Sequence, residues 1–160
     1  MARVALLDVN VLVALFDPDH VHHEIAHDWF AEHRDGWATC PLTENGLIRV
    51  ITNPAYHPDA IRPAQAGGSL RKFRRSGGHH FWVDSLSLTD AKTFDLTLVR
   101  GHAQLTDIYL LGLAVKNDGC LVTFDGKMPL GAAVGATRDH LAVLGPVPES
   151  RQQTDARDTH

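Results

Sequence analysis

The chain has 160 residues, of which 44% are hydrophobic and 21% charged, values that are typical of a globular protein and argue against disorder and fibrous repeats. Its 15 basic and 19 acidic residues give a net charge of −4, which excludes a generic electrostatic coat for nucleic acid but not a local basic patch. The two cysteines, Cys40 and Cys120, are far apart in the sequence, so neither a zinc ribbon nor a C-x-x-C redox motif is indicated.

The N-terminal apolar run, MARVALLDVNVLVALF, superficially resembles a signal peptide, but Asp8 and Asn10 interrupt it. No other stretch approaches the ~20 apolar residues that a transmembrane helix needs. We therefore expect a cytoplasmic protein without a membrane segment.

Apolar runs separated by breaks predict strands that alternate with helices. Buried strands are predicted at residues 4–7, 37–40, 81–83, 120–124 and 141–144. Helices are predicted at residues 10–16, 20–33, 43–52, 58–75, 89–100 and about 106–116, the last with Thr106 as its N-cap. This order predicts a three-layer α/β/α sandwich around a mainly parallel sheet. The domain is expected to span residues 3–146, followed by a polar, disordered C-terminal tail at residues 147–160.

Four acidic residues fall where a site is expected in such a sheet, beyond the carboxyl ends of its strands. Asp8 and Asp125 end two apolar strands. Glu44 and Asp107 lie in or near the first turns of predicted helices, where the helix dipole favours negative charge. Each of them alone can be a turn former, a cap or a surface residue, but together they predict one acidic pocket.

Four carboxylates in one pocket repel one another, so they either become protonated or require a cation. Ligation by oxygen atoms alone suits Mg²⁺ or Mn²⁺, which retain several waters and accept phosphate oxygens. Such a metal activates a water and stabilises charge on a phosphoryl group. The acidic pattern therefore predicts a nuclease.

Four segments carry a resemblance to a known family: LLDVNVLVAL, LTENGLIRV, QLTDIYLLGLA and LVTFD. In this order they resemble the successive motifs of PIN-domain ribonucleases, and more closely the VapC-type toxins of bacterial type II toxin–antitoxin pairs. The resemblance runs from about residue 3 to residue 144. It implies a compact PIN-like α/β/α fold, metal-dependent cleavage of RNA, a homodimer, and inhibition by a cognate antitoxin protein.

The resemblance also implies roles for single residues. Asp8 and Asp107 are the main metal ligands, while Glu44 and Asp125 complete the catalytic pocket directly or through water. Asn10 orients Asp8 or a bound water, although an N-cap role for the following helix fits its position equally well. Thr106 supports the site from the position before Asp107. Many family members have another acid shortly after the last aspartate, where this chain has Gly126, Lys127 and Met128.

Basic residues mark candidate contacts with RNA or with an antitoxin. The densest group lies near the end of a predicted helix and consists of Arg71, Lys72, Arg74 and Arg75. These residues can contact phosphates, but a solvated helix end is the simpler interpretation because helix C-termini also favour cations. Arg49, on the helix of Glu44, and Arg100 are weaker candidates.

HEIAH, residues 23–27, matches the H-E-x-x-H pattern of zinc proteases, in which two helical histidines bind zinc. The helical periodicity places His23 and His27 at the polar edge of their helix. A zinc protease would need a third ligand, for which Glu44 is the candidate, and would leave the other acids unexplained.

Two further alternatives remain open at this point. A haloacid-dehalogenase-like phosphatase also begins with a strand that ends in aspartate, but it requires a second aspartate where this chain has Asn10. A PIN-fold module that only binds RNA or protein would have lost acids from the pocket, whereas all four are present here.

Overall fold

The structure is a computed structural model that describes residues 2–145. Its strands are β1 (Ala5–Leu7), β2 (Trp37–Thr39), β3 (His79–Phe81), β4 (Cys120–Thr123) and β5 (Leu141–Val143). Its α-helices are α1 (Val9–Phe16), α2 (His23–His33), α3 (Pro41–Ile51), α4 (Pro63–Arg74) and α5 (Leu105–Lys116). Short 3-10 helices lie at Leu96–Leu98, His102–Gln104, Leu130–Ala132 and Arg138–His140. The predicted tail at residues 147–160 lies outside the described residues.

All strand pairs of the five-stranded sheet are parallel, and the order is β3-β2-β1-β4-β5. β1 occupies the centre, where Leu6 is in register with Ala38 on β2 and Leu121 on β4. Every residue of β1 is buried, which explains its continuous apolar run. The parallel order places the carboxyl ends of β1 and β4 side by side.

Two hydrophobic clusters cover the two faces of the sheet. On one face, Leu7 and Trp37 pack with Leu12 of α1, Phe30 of α2 and Leu47 of α3. On the other face, the apolar residues of α5 pack against strand residues such as Leu6 and Leu121, and against Trp82 and Phe94. The predicted three-layer α/β/α sandwich is therefore confirmed, with α5 forming the second helical layer.

The predicted helix at residues 89–100 is wrong. This segment forms turns and the 3-10 helix at Leu96–Leu98. The carboxylates of Asp90 and Asp95 accept hydrogen bonds from the backbone N–H groups of Lys92 and Thr97, at 3.0 and 3.1 Å. Such local side-chain bonds favour turns over helix, because they occupy N–H groups with a competing acceptor.

Several predicted boundaries also move. The predicted helix at residues 58–75 begins only at Pro63, the first residue of α4, where the missing N–H of proline costs nothing. The third strand lies at His79–Phe81 rather than at residues 81–83. Thr106 is not an N-cap, because α5 begins at Leu105 with Gln104 in the cap position.

Within residues 2–145 no helix is long and apolar enough to cross a bilayer. Of the two cysteines, Cys40 is buried and Cys120 is partly exposed, and both are free thiols.

Candidate active site

Three of the predicted acids converge where β1 and β4 end. Asp8 follows β1 directly, and its N–H donates to the carbonyl of Val122 on β4 at 2.9 Å. Asp125 follows β4 by two residues, and Asp107 lies in the first turn of α5. We call Asp8, Asp107 and Asp125 the acidic cluster.

Asp8 is the most deeply placed member of the acidic cluster, with 5% of its surface exposed. It is the N-cap of α1, and its Oδ1 accepts from the N–H of Val9 at 2.7 Å. Its Oδ2 accepts from the hydroxyl of Thr123 at 2.7 Å. Burial nevertheless raises the pKa of Asp8, and the negative charge of Asp125 adds to this, because the two hydrogen bonds do not fully offset the lost solvation.

Asp107 is half-buried, and its pKa is raised to about 6. Burial is the largest cause, and the negative charges of Asp8 and Asp125 follow. In the described part of the chain none of the three aspartates forms an ion pair with a basic residue. Carboxylate oxygens are the ligands that a hard divalent cation prefers, so the chemistry of these three side chains suits such an ion, although in the structure of residues 2–145 they do not stand close enough together to form a complete metal site.

A cavity of about 400 Å³ opens beside the acidic cluster. Asp8 and Asp107 both line it, and so does Thr106, which precedes Asp107. Its full lining consists of Asp8, Val9, Asn10, Val13, His20, Val50, Thr106 and Asp107. His20 was not recognised from the sequence, because it belongs to no motif and reaches the site only through the turn after α1.

Thr123 connects the members of this site. Its hydroxyl donates to Asp8 and accepts from the side-chain amide of Asn10 at 3.3 Å and from the N–H of Asp125 at 3.1 Å. Asn10 also accepts from the N–H of Phe124 at 3.4 Å. Asn10 lies within α1, so the alternative N-cap role is wrong. Among the hydrogen bonds of residues 2–145, Asn10 is connected to Asp8 through the hydroxyl of Thr123. Sequence reasoning missed Thr123, whose only signal is its position two residues before Asp125.

Glu44 lies in a different network. Its Oε2 accepts from the hydroxyl of Thr39 at 2.5 Å, and its Oε1 is 3.4 Å from Nη1 of Arg74. His79 Nε2 lies 2.7 Å from the same Thr39 hydroxyl. Burial, with the positive charge of Arg74, lowers the pKa of His79 to about 4, so the neutral ring donates to Thr39 while Thr39 donates to Glu44.

The four predicted acids are therefore not placed alike. The acidic cluster interacts electrostatically across the site, whereas the described hydrogen bonds of Glu44 go to Thr39 and Arg74. Within residues 2–145 no three side chains of histidine, cysteine, aspartate or glutamate stand close enough together to form a metal site.

The basic residues near α4 separate into two kinds. Arg74 forms an ion pair with Glu44 and a cation–π contact with Phe81, whose ring centroid lies 5.0 Å from the guanidinium carbon. The other three are exposed: Arg71, Lys72 and Arg75. Arg49 lines a cavity of about 220 Å³ that shares Val9 and Val50 with the cavity of the acidic cluster. Arg49 is thus the basic candidate placed beside the acidic site.

The histidines of HEIAH hold two helices together. Nδ1 of His23 donates to the carbonyl of Ala14 at 2.7 Å, and Nε2 of His27 donates to that of Leu15 at 3.2 Å. Both carbonyls belong to the last turn of α1, where no intrahelical donor is available. We call His23 and His27 the histidine pair, and its contacts are those of a helix-capping device.

Comparison with known proteins places the chain in a family. A sequence model of the PIN domain matches residues 5–131. The chain is 47% identical over 141 residues to ribonuclease VapC44 of Mycobacterium tuberculosis, covering 88% of this chain and 99% of that protein. It is 49% identical over 123 residues to ribonuclease VapC38 of the same species, covering 76% and 85%, respectively.

A solved structure agrees with the fold. The crystal structure of Mycobacterium tuberculosis VapC20, described as a sarcin-ricin loop cleaving toxin, superposes with a TM-score of 0.57 at 15% identity and covers 81% of this chain and 96% of that chain. At this identity the likeness concerns the fold alone. From the family match, the sequence relatives and the parallel α/β/α fold, the chain belongs to the PIN-domain family, among its VapC-type ribonucleases.

Proposed function

We propose that this chain is the toxin of a type II toxin–antitoxin pair and acts as a metal-dependent endoribonuclease on RNA phosphodiester bonds. The observation that carries the proposal is the acidic cluster, three mutually repelling aspartates without an ionic partner among the described residues. The relatives that are named ribonucleases support the same activity.

Asp8 and Asp107 are the proposed main ligands of the metal. Asp125 and Glu44 complete the catalytic pocket, directly or through water, with Glu44 reaching it from the network of Thr39 and Arg74. The oxygen donors suit Mg²⁺, and Mn²⁺ is expected to substitute for it. When bound, such an ion lowers the pKa of a coordinated water and neutralises charge on the phosphate.

The chain's own residues orient the ligands and the substrate. Thr123 holds Oδ2 of Asp8 by donating to it, and Asn10 holds Thr123 in turn. This leaves the Asp8 carboxylate in one orientation, which reduces the reorganisation needed during the reaction. Arg49, beside the cavity, is the first candidate to contact an RNA phosphate, followed by the exposed Arg71, Lys72 and Arg75.

The proposals for partners, assembly and location rest on the similarity to VapC-type ribonucleases. We expect inhibition by a cognate antitoxin protein, assembly into a homodimer, and action in the cytoplasm. Size-exclusion chromatography with light scattering tests the dimer, and co-expression with the neighbouring open reading frame tests the antitoxin, since a true antitoxin co-purifies and suppresses cleavage.

Cleavage of total RNA tests the activity. The purified chain is incubated with RNA and Mg²⁺, Mn²⁺ or a chelator, and new 5′ ends are mapped by sequencing. Defined new ends that require the divalent ion, and that disappear with Asp107→Asn, support the proposal. Asp28→Asn, an exposed carboxylate on α2, serves as the matched control. RNA binding without cleavage under every metal condition would instead favour a PIN-fold binding module.

A further inference from the structure

The turn between α1 and α2 places a histidine in the wall of the cavity beside the acidic cluster. His20 lines this cavity of about 400 Å³ together with Asp8 and Asp107. No lysine or arginine is among the described residues that line it. A phosphate group that enters the cavity therefore meets two carboxylates and no cationic side chain. Apart from a bound metal ion, it depends there on neutral hydrogen-bond donors.

The hydrogen bonds of His20 determine which of its ring nitrogens carries the proton. Nδ1 accepts from the backbone N–H of His22 at 3.0 Å, and a ring nitrogen that accepts is unprotonated. The proton of the neutral ring therefore lies on Nε2. Burial, followed by the neighbouring His22, lowers the pKa of His20, so the ring is neutral at neutral pH.

The Nε2–H group of His20 is available to a ligand. It has no hydrogen-bond partner within residues 2–145. Unlike Nδ1 of His22, which is buried without a partner, Nε2 of His20 retains contact with solvent. Because the ring lines the cavity, this N–H group is a donor within reach of an oxygen atom that enters from solvent.

The turn that carries His20 is anchored at the end of α1 and at the end of β4. The N–H of His20 donates to the carbonyl of Asp17, the C-cap of α1, at 3.0 Å. The ring of His22 stacks on that of Phe124, which precedes Asp125, with ring centroids 4.7 Å apart. The fold thus holds the His20 ring in place, so little ordering is needed when a ligand binds.

We propose that Nε2 of His20 donates a hydrogen bond to a non-bridging phosphate oxygen of the RNA strand at the acidic cluster. This inference rests on the proposed ribonuclease function. A phosphate oxygen only accepts hydrogen bonds, which matches the proton on Nε2. Coordination of a metal by Nε2 would require the proton to move to Nδ1, which would break the hydrogen bond from His22. The tautomer therefore favours a substrate-binding donor over a metal ligand.

Another histidine of the chain provides a matched control. Nδ1 of His57 accepts from the N–H of Asp59 at 3.1 Å, which is the same bond to the second following residue that His20 forms. Both histidines are partly buried. His57 lines a different cavity, of about 270 Å³, to which neither Asp8 nor Asp107 contributes. A defect seen only when His20 is changed therefore reports on the acidic site and not on this kind of turn.

Two substitutions separate the donor of His20 from its role in the turn. Asparagine keeps an oxygen near the position of Nδ1, which can accept from the N–H of His22, but has no atom at the position of Nε2. We expect His20→Asn to keep the wild-type melting temperature and to lower kcat/KM for RNA cleavage about 10–100-fold, as for the loss of a hydrogen bond to a charged group. His20→Gln places an amide N–H near the position of Nε2 and is expected to recover part of the loss. His57→Asn is expected to cleave at the wild-type rate.

A binding measurement separates this proposal from the cleavage activity. Fluorescence anisotropy measures the affinity of the Asp107→Asn protein, which is expected to leave RNA intact, for a labelled single-stranded RNA hexanucleotide with Mg²⁺. Adding His20→Asn is expected to weaken binding about tenfold or more, whereas adding His57→Asn is expected to leave the affinity unchanged. Long-range ¹H–¹⁵N NMR of the histidine rings in the wild-type protein tests the tautomer, with Nε2 of His20 expected to carry the proton.

The outcomes are distinct. Full cleavage and unchanged binding with His20→Asn overturn the phosphate contact and leave the ribonuclease intact. Absence of cleavage under every metal condition overturns the proposed function, while a loss of RNA binding with His20→Asn that His57→Asn does not share still supports the contact. Equal losses with His20→Asn and His20→Gln, together with lowered melting temperatures, assign His20 to the turn and contradict the proposal. A proton on Nδ1 of His20 contradicts it as well.

Discussion

The acidic cluster and the histidine pair are both built from residue types that bind metals, yet their surroundings differ. His23 and His27 each use one ring nitrogen to donate to a carbonyl of α1. The three aspartates repel one another, and Asp107 has a pKa raised to about 6. The histidine pair thus has hydrogen-bond partners within the fold. The acidic cluster instead has negative charges that no basic residue in the described part of the chain balances, beside a cavity.

This difference shows why a motif alone is a weak guide to a metal site. H-E-x-x-H places two histidines one helical turn apart, a spacing that serves zinc ligation and helix capping equally well. Zinc ligation and helix capping are distinguished by the atoms that the two histidine rings contact. Here those atoms are the carbonyl oxygens in the last turn of α1, which accept hydrogen bonds from the histidine rings. A ring nitrogen that donates a proton to a carbonyl cannot at the same time bind a metal.

The largest expected effect is on the acidic cluster. Asp107→Asn removes one charge of the metal-binding set, and we expect RNA cleavage to fall by at least ~100-fold, as for other groups that stabilise transition-state charge. The initial rate of cleavage of a fluorescent RNA with Mg²⁺ measures this. Asp28→Asn is expected to cleave at the wild-type rate, and an Asp107→Asn protein with full activity would contradict the site.

A smaller loss is expected from Thr123, which holds Asp8 without forming part of the acidic cluster. Thr123→Val removes the hydroxyl that donates to Asp8 and accepts from Asn10. Residues that hydrogen-bond to a metal ligand without binding the metal themselves typically contribute ~10–100-fold to activity or metal affinity. We therefore expect the cleavage rate to decrease within that range and the Mg²⁺ concentration for half-maximal rate to increase. Thr123→Ser keeps the hydroxyl and is expected to restore most of the rate. Equal defects in the serine and valine proteins would argue for packing instead.

The histidine pair is expected to affect stability and not cleavage. His23→Ala leaves the carbonyl of Ala14 without its donor, which costs about 1 kcal/mol of unfolding free energy. Urea denaturation measures this loss, with the exposed His102→Ala as control. We also expect no zinc in the purified protein. Zinc at one equivalent per chain that is lost in His23→Ala would revive the protease interpretation.

The smallest expected effect is a pH dependence of stability in the metal-free protein. The folded chain raises the pKa of Asp107 from 3.8 to about 6, so folding favours the protonated form. Stability therefore decreases as the pH rises through this interval and is then constant, because the folded state binds the proton more tightly than the unfolded state.

Melting curves in a chelating buffer check this dependence. Asp107→Asn is expected to melt above the wild-type protein once the pH exceeds about 6, and to match it below 3.8, where both side chains are neutral. An Asp107→Asn protein that is less stable than wild type at neutral pH would mean that Asp107 is a structural residue.

Local sequence predicted much of the fold, and its errors have local causes. The apolar runs at β1 and β4 predicted buried parallel strands, because residues that are covered on both faces leave little room for polar side chains. The helix predicted at residues 89–100 failed because Asp90 and Asp95 bind nearby backbone N–H groups. Periodicity does not register such competition, since it counts apolar positions and ignores side-chain acceptors.

For the candidate site, the sequence predicted the three aspartates of the acidic cluster but not how their charges affect one another. The raised pKa of Asp107 depends on Asp8 and Asp125, which only the fold brings near. Glu44 was predicted in the same pocket, and its partners, Thr39 and Arg74, could not be anticipated because Arg74 lies 30 residues further along the chain. Its place in the catalytic pocket stays a prediction.

The sequence by itself determined the class of fold and the positions of the acids at strand and helix ends, since both follow from local patterns of apolar and polar residues. The tertiary structure decided which of these ends meet. It placed β4 beside β1, so that Thr123 donates to Asp8 across 115 residues of chain. It also turned the histidine pair toward α1 and enclosed the hydroxyl of Tyr109. The physical reason is that these contacts join different elements of the fold, and packing between elements, not local propensity, selects them.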